Sequence, residues 1–129
     1  MNSVILIGRL TKNPQIKYIG EKNTMVANFR LAVDRNFKKE NIKQKTDFIN
    51  IEAWRTLADI CNNFKKGDLV SIKGKLRIDE YLDKEGNKKY MTKIIAYEAK
   101  LLEHSKNYLN GSDVFTEENI NIDEAYIPF

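Results

Sequence analysis

The chain has 129 residues with an ordinary 42% hydrophobic content, enough for one domain that removes about two-thirds of its unfolded surface from water. A single cysteine, Cys61, excludes an intrachain disulfide framework and suits a reducing compartment, and no run approaches the ~20 apolar residues of a membrane span. The net charge of +4 is unevenly spread: residues 1–104 carry 21 Lys and Arg against 13 Asp and Glu, whereas residues 105–129 carry 1 against 5.

Val4-Ile5-Leu6-Ile7 is a short apolar run, too brief for a secretory signal. It reads as a strand buried on both faces or lying in a subunit contact. Asn13-Pro14 marks a turn, and Ile16–Ile19 leads to a second break at Gly20. From Met25 the alternation is clean. Met25, Ala27, Phe29, Leu31 and Val33 share one face, and Asn28, Arg30 and Asp34 the other.

Residues 35–45 form a cationic polar loop with Phe37 in its middle. The next strand alternates Ile49, Ile51 and Ala53 against Phe48, Asn50, Glu52 and Trp54. Thr56 is expected to cap a short helix with Leu57, Ile60, Cys61 and Phe64 on one apolar stripe, and Gly67 to stop it. A further strand puts Val70, Ile72, Leu76 and Ile78 inward, with Lys73, Lys75, Arg77 and Tyr81 at the opposite parity. Asp83–Asn87 is a hairpin turn into a last strand near residues 89–102. Residues 105–122 are weakly patterned and expected to be a flexible linker. Residues 123–129 form an acidic tip that closes on apolar Ile127-Pro128-Phe129. A body that attracts polyanions thus carries a tail that they repel.

Strands with one short helix after the third long one suggest an all-β, five-stranded OB-fold barrel over residues 1–104. Periodicity alone leaves an SH3-like barrel or a small sandwich open.

Phe48 and Trp54 lie about 20 Å apart on the polar side of their strand at ~3.3 Å per residue. A large aromatic on a solvated face needs a reason beyond core burial. Base stacking supplies one, since every base has a π-face; cross-strand packing or a subunit contact is the plain alternative. Phe37 lies in the cationic loop, and Tyr81 continues the row of Lys73, Lys75 and Arg77. Cations interleaved with aromatics fit a single-strand groove, because phosphates run between stacked bases.

The blocks Val4–Leu10, Asn13-Pro14, Tyr18, Val26–Phe29 and Leu31–Val33 resemble the start of bacterial-type single-stranded DNA-binding proteins, the SSB family. Thr46-Asp47-Phe48 through Trp54, then Leu57-Ala58, Gly67, Gly74–Arg77 and the Asp83–Tyr90 hairpin continue the resemblance, and Ile127-Pro128-Phe129 is similar to the family's terminal tripeptide. The resemblance implies an OB-fold assembled as a homotetramer that wraps single-stranded DNA without sequence preference. Its stacking aromatics fall on Phe37, Phe48, Trp54 and Tyr81. Arg9, Arg35, Lys38, Lys73, Lys75 and Arg77 are the cations expected at phosphates. Asp123, Glu124, Ile127, Pro128 and Phe129 would dock on replication, recombination and repair proteins. Asp79-Glu80 depart from the family pattern, which implies poorer phosphate attraction beside Tyr81.

The expected function is therefore protection of single-stranded DNA and recruitment of processing proteins, in a cytoplasmic, nucleoid-associated setting. An OB-fold protein–protein adaptor and an RNA-binding OB module are the rival readings; stacking ignores the 2′-hydroxyl and does not separate DNA from RNA. His104 has no metal-ligand partner at suitable spacing, Cys61 reads as core packing, and the carboxylates are scattered. No enzyme activity, cofactor or metal is expected.

Overall fold

Alternating apolar and polar residues become strands where one side of the pleat can be buried, and the long alternations here do so. The computed structural model describes residues 1–35 and 45–105. In chain order they form β1 (Val4–Leu10), β2 (Gln15–Ile19), β3 (Thr24–Asp34), β4 (Thr46–Trp54), α1 (Thr56–Cys61), β5 (Leu69–Leu82) and β6 (Lys88–Glu103).

Five of these strands make a closed ring, β1-β5-β6-β4-β3, and β2 is a flap paired to the free edge of β3. β1 closes the ring by pairing β5 from Val4↔Gly74 to Arg9↔Leu69 and β3 at Arg9↔Ala32 and Leu10↔Leu31. β3 and β4 run antiparallel from Val26↔Trp54 to Asp34↔Thr46. β4 and β6 meet in parallel over Asn50↔Lys93, Ile51↔Ile94 and Glu52↔Ile95. This ring, with its helix between the third and fourth of its strands, is an OB-fold.

The ring is filled by Leu10, Leu31, Ile51, Val70 and Ile72, all fully buried. Each such aliphatic side chain contributes about 1.5–3 kcal/mol when withdrawn from water. α1 plugs one end with Ala58 and Cys61, and Phe64 follows it to meet Phe29 edge-to-face with ring centroids 6.2 Å apart. Burial pushes the Cys61 thiol up to about 12, so it packs as a small apolar group.

Three local expectations need correction. Arg55, at φ 56°, holds the N-cap position, and Thr56 is already helical. The Arg55 amide donates to Met25 O, so the turn out of β4 is tied to β3 rather than closed by a side chain. α1 is also shorter than the stripe implied: it ends at Cys61, leaving Ile60 exposed, while Phe64 and Gly67 lie in the turns that lead to β5. Finally, Leu76 and Ile78 are exposed. At Gly74 a Cβ would lie 2.3 Å from Ile95 O, so only glycine lets β6 pass this close. The ladder is irregular at that point; β4 stays paired to β6 only as far as Asn50↔Lys93, opposite Arg77, and from Ile78 on β5 and β6 continue as a two-stranded arm. The arm's tip is the expected hairpin: Asp83 Oδ1 accepts from the amides of Glu85 and Asn87, and Gly86 takes φ 84°.

The last described segment is pinned back. Buried Asp68 accepts from the Lys65 amide through Oδ2 and from the Ser105 amide through Oδ1, both at 2.9 Å.

Candidate nucleic-acid interface

Residues paired directly across a ladder share a face, and so do alternate residues along each strand. On β4, Phe48, Asn50, Glu52 and Trp54 therefore stand on one side, opposite Ala32, Arg30, Asn28 and Val26 of β3. Asn50 pairs with Lys93 on β6, and Lys93 with Arg77 on β5. Two residues further along β5 come Asp79, opposite Met91, and then Tyr81, opposite Lys89. The outer surface of β3, β4, β6 and β5 is thus one continuous face that carries Phe48, Trp54 and Tyr81. Phe48 and Trp54 are partly buried, and Tyr81 is 50% exposed on the arm.

An open groove of about 390 Å³ crosses the middle of this face, lined by Gln15, Asn28, Arg30, Asn50, Met91 and Lys93 among others. Its polar groups are oriented rather than loose: Arg30 Nε donates to Asn50 Oδ1 at 3.1 Å.

The charges beside the groove are organised around Glu52, which is only 7% exposed. Trp54 Nε1 donates to its Oε2 at 2.7 Å, and Lys93 Nζ donates to its Oε1 at 3.0 Å. Arg77 reaches Glu52 at 3.5 Å and Asp79 at 3.1 Å, and Lys93 reaches Asp79 at 2.9 Å. Two cations and two carboxylates thereby close on one another. The Lys93 hydrogen bond, with Arg77 adding to it, holds the Asp79 carboxyl below the usual aspartate value. Burial pulls the Lys93 ammonium down, but Asp79 and Glu52 outweigh it and raise it above the ordinary lysine value.

The cations expected at phosphates are distributed unevenly. Lys75 is exposed on the face, opposite Ile95. Arg77 is there too, within the cluster. Arg35 lies at the loop end of β3, paired with Asp47 at 2.8 Å, and the hydrogen bonds it donates to that carboxylate raise its guanidinium above the ordinary value. Lys73 stands between Ile5 and Glu98, paired with Glu98 at 3.7 Å. Arg9 donates to Gly67 O at 3.0 Å and meets Glu103 at 3.4 Å, its side chain mostly buried. Phe37 and Lys38 lie outside the described residues, as do Asp123, Glu124, Ile127, Pro128 and Phe129.

Glu52, Lys93, Arg30 and Asn50 were not singled out by sequence reasoning. Strand parity does put Asn50 and Glu52 beside Trp54, and Arg30 on the outer side of β3. What parity lacks is the β4–β6 pairing that brings Lys93 to Asn50 and Glu52, a long-range contact with no local signature.

Ring topology and helix position define an OB-fold protein, one whose outer face carries aromatics among paired charges. The chain belongs to the single-strand binding protein family, whose model matches residues 1–102. It is 42% identical to a Clostridium acetobutylicum protein named single-stranded DNA-binding protein 2, with 100% of each chain covered. It is 37% identical to the single-stranded DNA-binding protein of Clostridium tetani, again over 100% of each chain. The single-stranded DNA-binding protein of Caldanaerobacter subterraneus subsp. tengcongensis is 40% identical, covering 98% of this chain and 83% of that relative. Among the described residues, no helix is long and apolar enough to cross a membrane.

Proposed function

We propose that the chain binds single-stranded DNA without sequence preference, protects it during replication, recombination and repair, and recruits partner proteins through its C-terminal tip. The observation that carries the reading is the single face shared by Phe48, Trp54 and Tyr81 around a polar groove. Bases stack on the rings, each contact contributing roughly 1–3 kcal/mol, and the unstacked strand threads its phosphates past the cations at the rim. Phe37 and Lys38 are assigned to the same strand from the sequence, and Lys75 and Arg77 border its path. Family membership and the names of the relatives point the same way.

The paired charges shape the expected mode. With Lys93, Arg77, Lys73, Arg9 and Arg35 already facing carboxylates, binding draws more on stacking and less on phosphate neutralisation than the net charge of the body suggests. For single strands log K falls by about 0.7 per log unit of salt for each phosphate neutralised. Titrating oligo-dT at several salt concentrations is expected to give a negative slope equivalent to a few phosphates. Equal affinity at low and high salt would contradict the electrostatic half of the reading.

The chain also assembles with copies of itself in this reading, as a homotetramer. Ile5 and Ile7 support it: both point outward from β1 and are 62% and 54% exposed in the single chain, an apolar edge that a subunit contact would cover.

A further inference from the structure

Glu52 is a nearly buried carboxylate on the face assigned above to a polyanion, where a free anion would repel the ligand. A buried acid is tolerated when it is paired and hydrogen-bonded, and Glu52 is both, through Lys93, Arg77 and the Trp54 indole. Each partner bears on strand binding. Trp54 is the residue two positions along β4, on the same side of the strand, so the 2.7 Å hydrogen bond ties the polar edge of its ring to the charge cluster beside the groove. Lys93 lines the groove and Arg77 stands beside it, and Glu52 and Asp79 occupy both. The four charges sum to zero. The cluster beside the groove is therefore polar but electrically closed, while Arg30 in the groove and the exposed Lys75 stand outside it.

We propose that Glu52 is a positioning residue for strand binding: it fixes the Trp54 ring for stacking and, with Asp79, withholds Lys93 and Arg77 from phosphate, so that bases rather than backbone occupy the face beside Trp54. The proposal rests on the single-strand reading. A ring held in one orientation loses less freedom when a base stacks on it. Cations held by carboxylates release fewer counterions when DNA binds, which flattens the response to salt. Glu52 thus shifts the balance of the interface from electrostatics to stacking without touching DNA itself.

The test uses the full chain and oligo-dT, with Trp54 emission as the signal. Glu52→Gln keeps the shape and an oxygen for the indole but removes the charge. It is expected to bind several-fold more tightly at low salt, with a slope steeper by about 0.7–1.4, equivalent to one or two added phosphates. Asp79→Asn is expected to steepen the slope in the same sense while leaving Trp54 emission unchanged. Glu52→Leu removes the indole's acceptor, and is expected to lower Trp54 fluorescence anisotropy in the free protein and to weaken quenching by oligo-dT. Slopes of Glu52→Gln and Asp79→Asn equal to that of the parent chain would overturn the charge role, and unchanged anisotropy in Glu52→Leu the ring role. Where the Glu52 variants do not fold, Asp79→Asn decides the charge role, since its side chain is 40% exposed. The Trp54 indole N–H resonance of the parent chain then decides the other, with rapid solvent exchange as the contradicting result. A parent chain that does not bind oligo-dT at all would remove the single-strand reading itself, an outcome separate from any of these.

Discussion

Trp54 and Glu52 show what a single residue's pattern discloses and what it hides. That Trp54 stands on the polar side of β4 is visible from alternation alone, because Ile49, Ile51 and Ala53 claim the other side. That Glu52 is nearly buried there is not, because its burial comes from Lys93 and Arg77 on strands far along the chain. Parity assigns a side of the sheet; it does not say what covers that side. For the same reason Lys73 and Arg9 read as free cations in the sequence, and in the fold face Glu98 and Glu103. At the chain's end the relevant residue is Phe129. The acidic stretch followed by an apolar terminus motivates its assignment to partner binding, and removing Phe129 alone is expected to abolish capture of processing proteins while DNA affinity stays equal or rises. Undiminished capture would refute the tip assignment.

At the scale of elements, the legible parts were those in which local pattern and long-range packing agree. β3 and β4 form over the whole length of their alternating segments, and the Asp83–Asn87 turn forms where its Asp, Gly and Asn require it. β5 was misjudged beyond Gly74 because Leu76 and Ile78 keep the inward parity of Val70 and Ile72 but are left exposed toward the end of the ring. Replacing Gly74 with alanine would bring a Cβ within 2.3 Å of Ile95 O and 2.8 Å of Ile94 Cγ2. Backbone on one side and a core side chain on the other leave little room to give. Gly74→Ala is expected to destabilise the fold by about 1–3 kcal/mol, read as a lowered midpoint in urea unfolding. A midpoint equal to the parent's would mean that the two strands separate there at no cost.

The whole molecule combines an aromatic, polar face on β3, β4, β5 and β6 with an apolar edge at β1. Ile5 and Ile7 face outward there next to Ser71 and Lys73 of β5, so burying that edge leaves the groove on the other strands open to a polymer. Ile5→Lys with Ile7→Lys is expected to leave the ring folded but to reduce the mass measured by light scattering toward that of a single 15.0 kDa chain. An unchanged assembly would place the subunit contact elsewhere. The central claim, that a single strand lies across the Phe48–Trp54–Tyr81 face, is tested most directly through the chain's one tryptophan. Titration with oligo-dT, with duplex DNA as control, is expected to quench Trp54 emission strongly and saturably with the single strand alone. No quenching with either DNA would contradict the claim and leave Trp54 as a packing residue of a protein–protein adaptor.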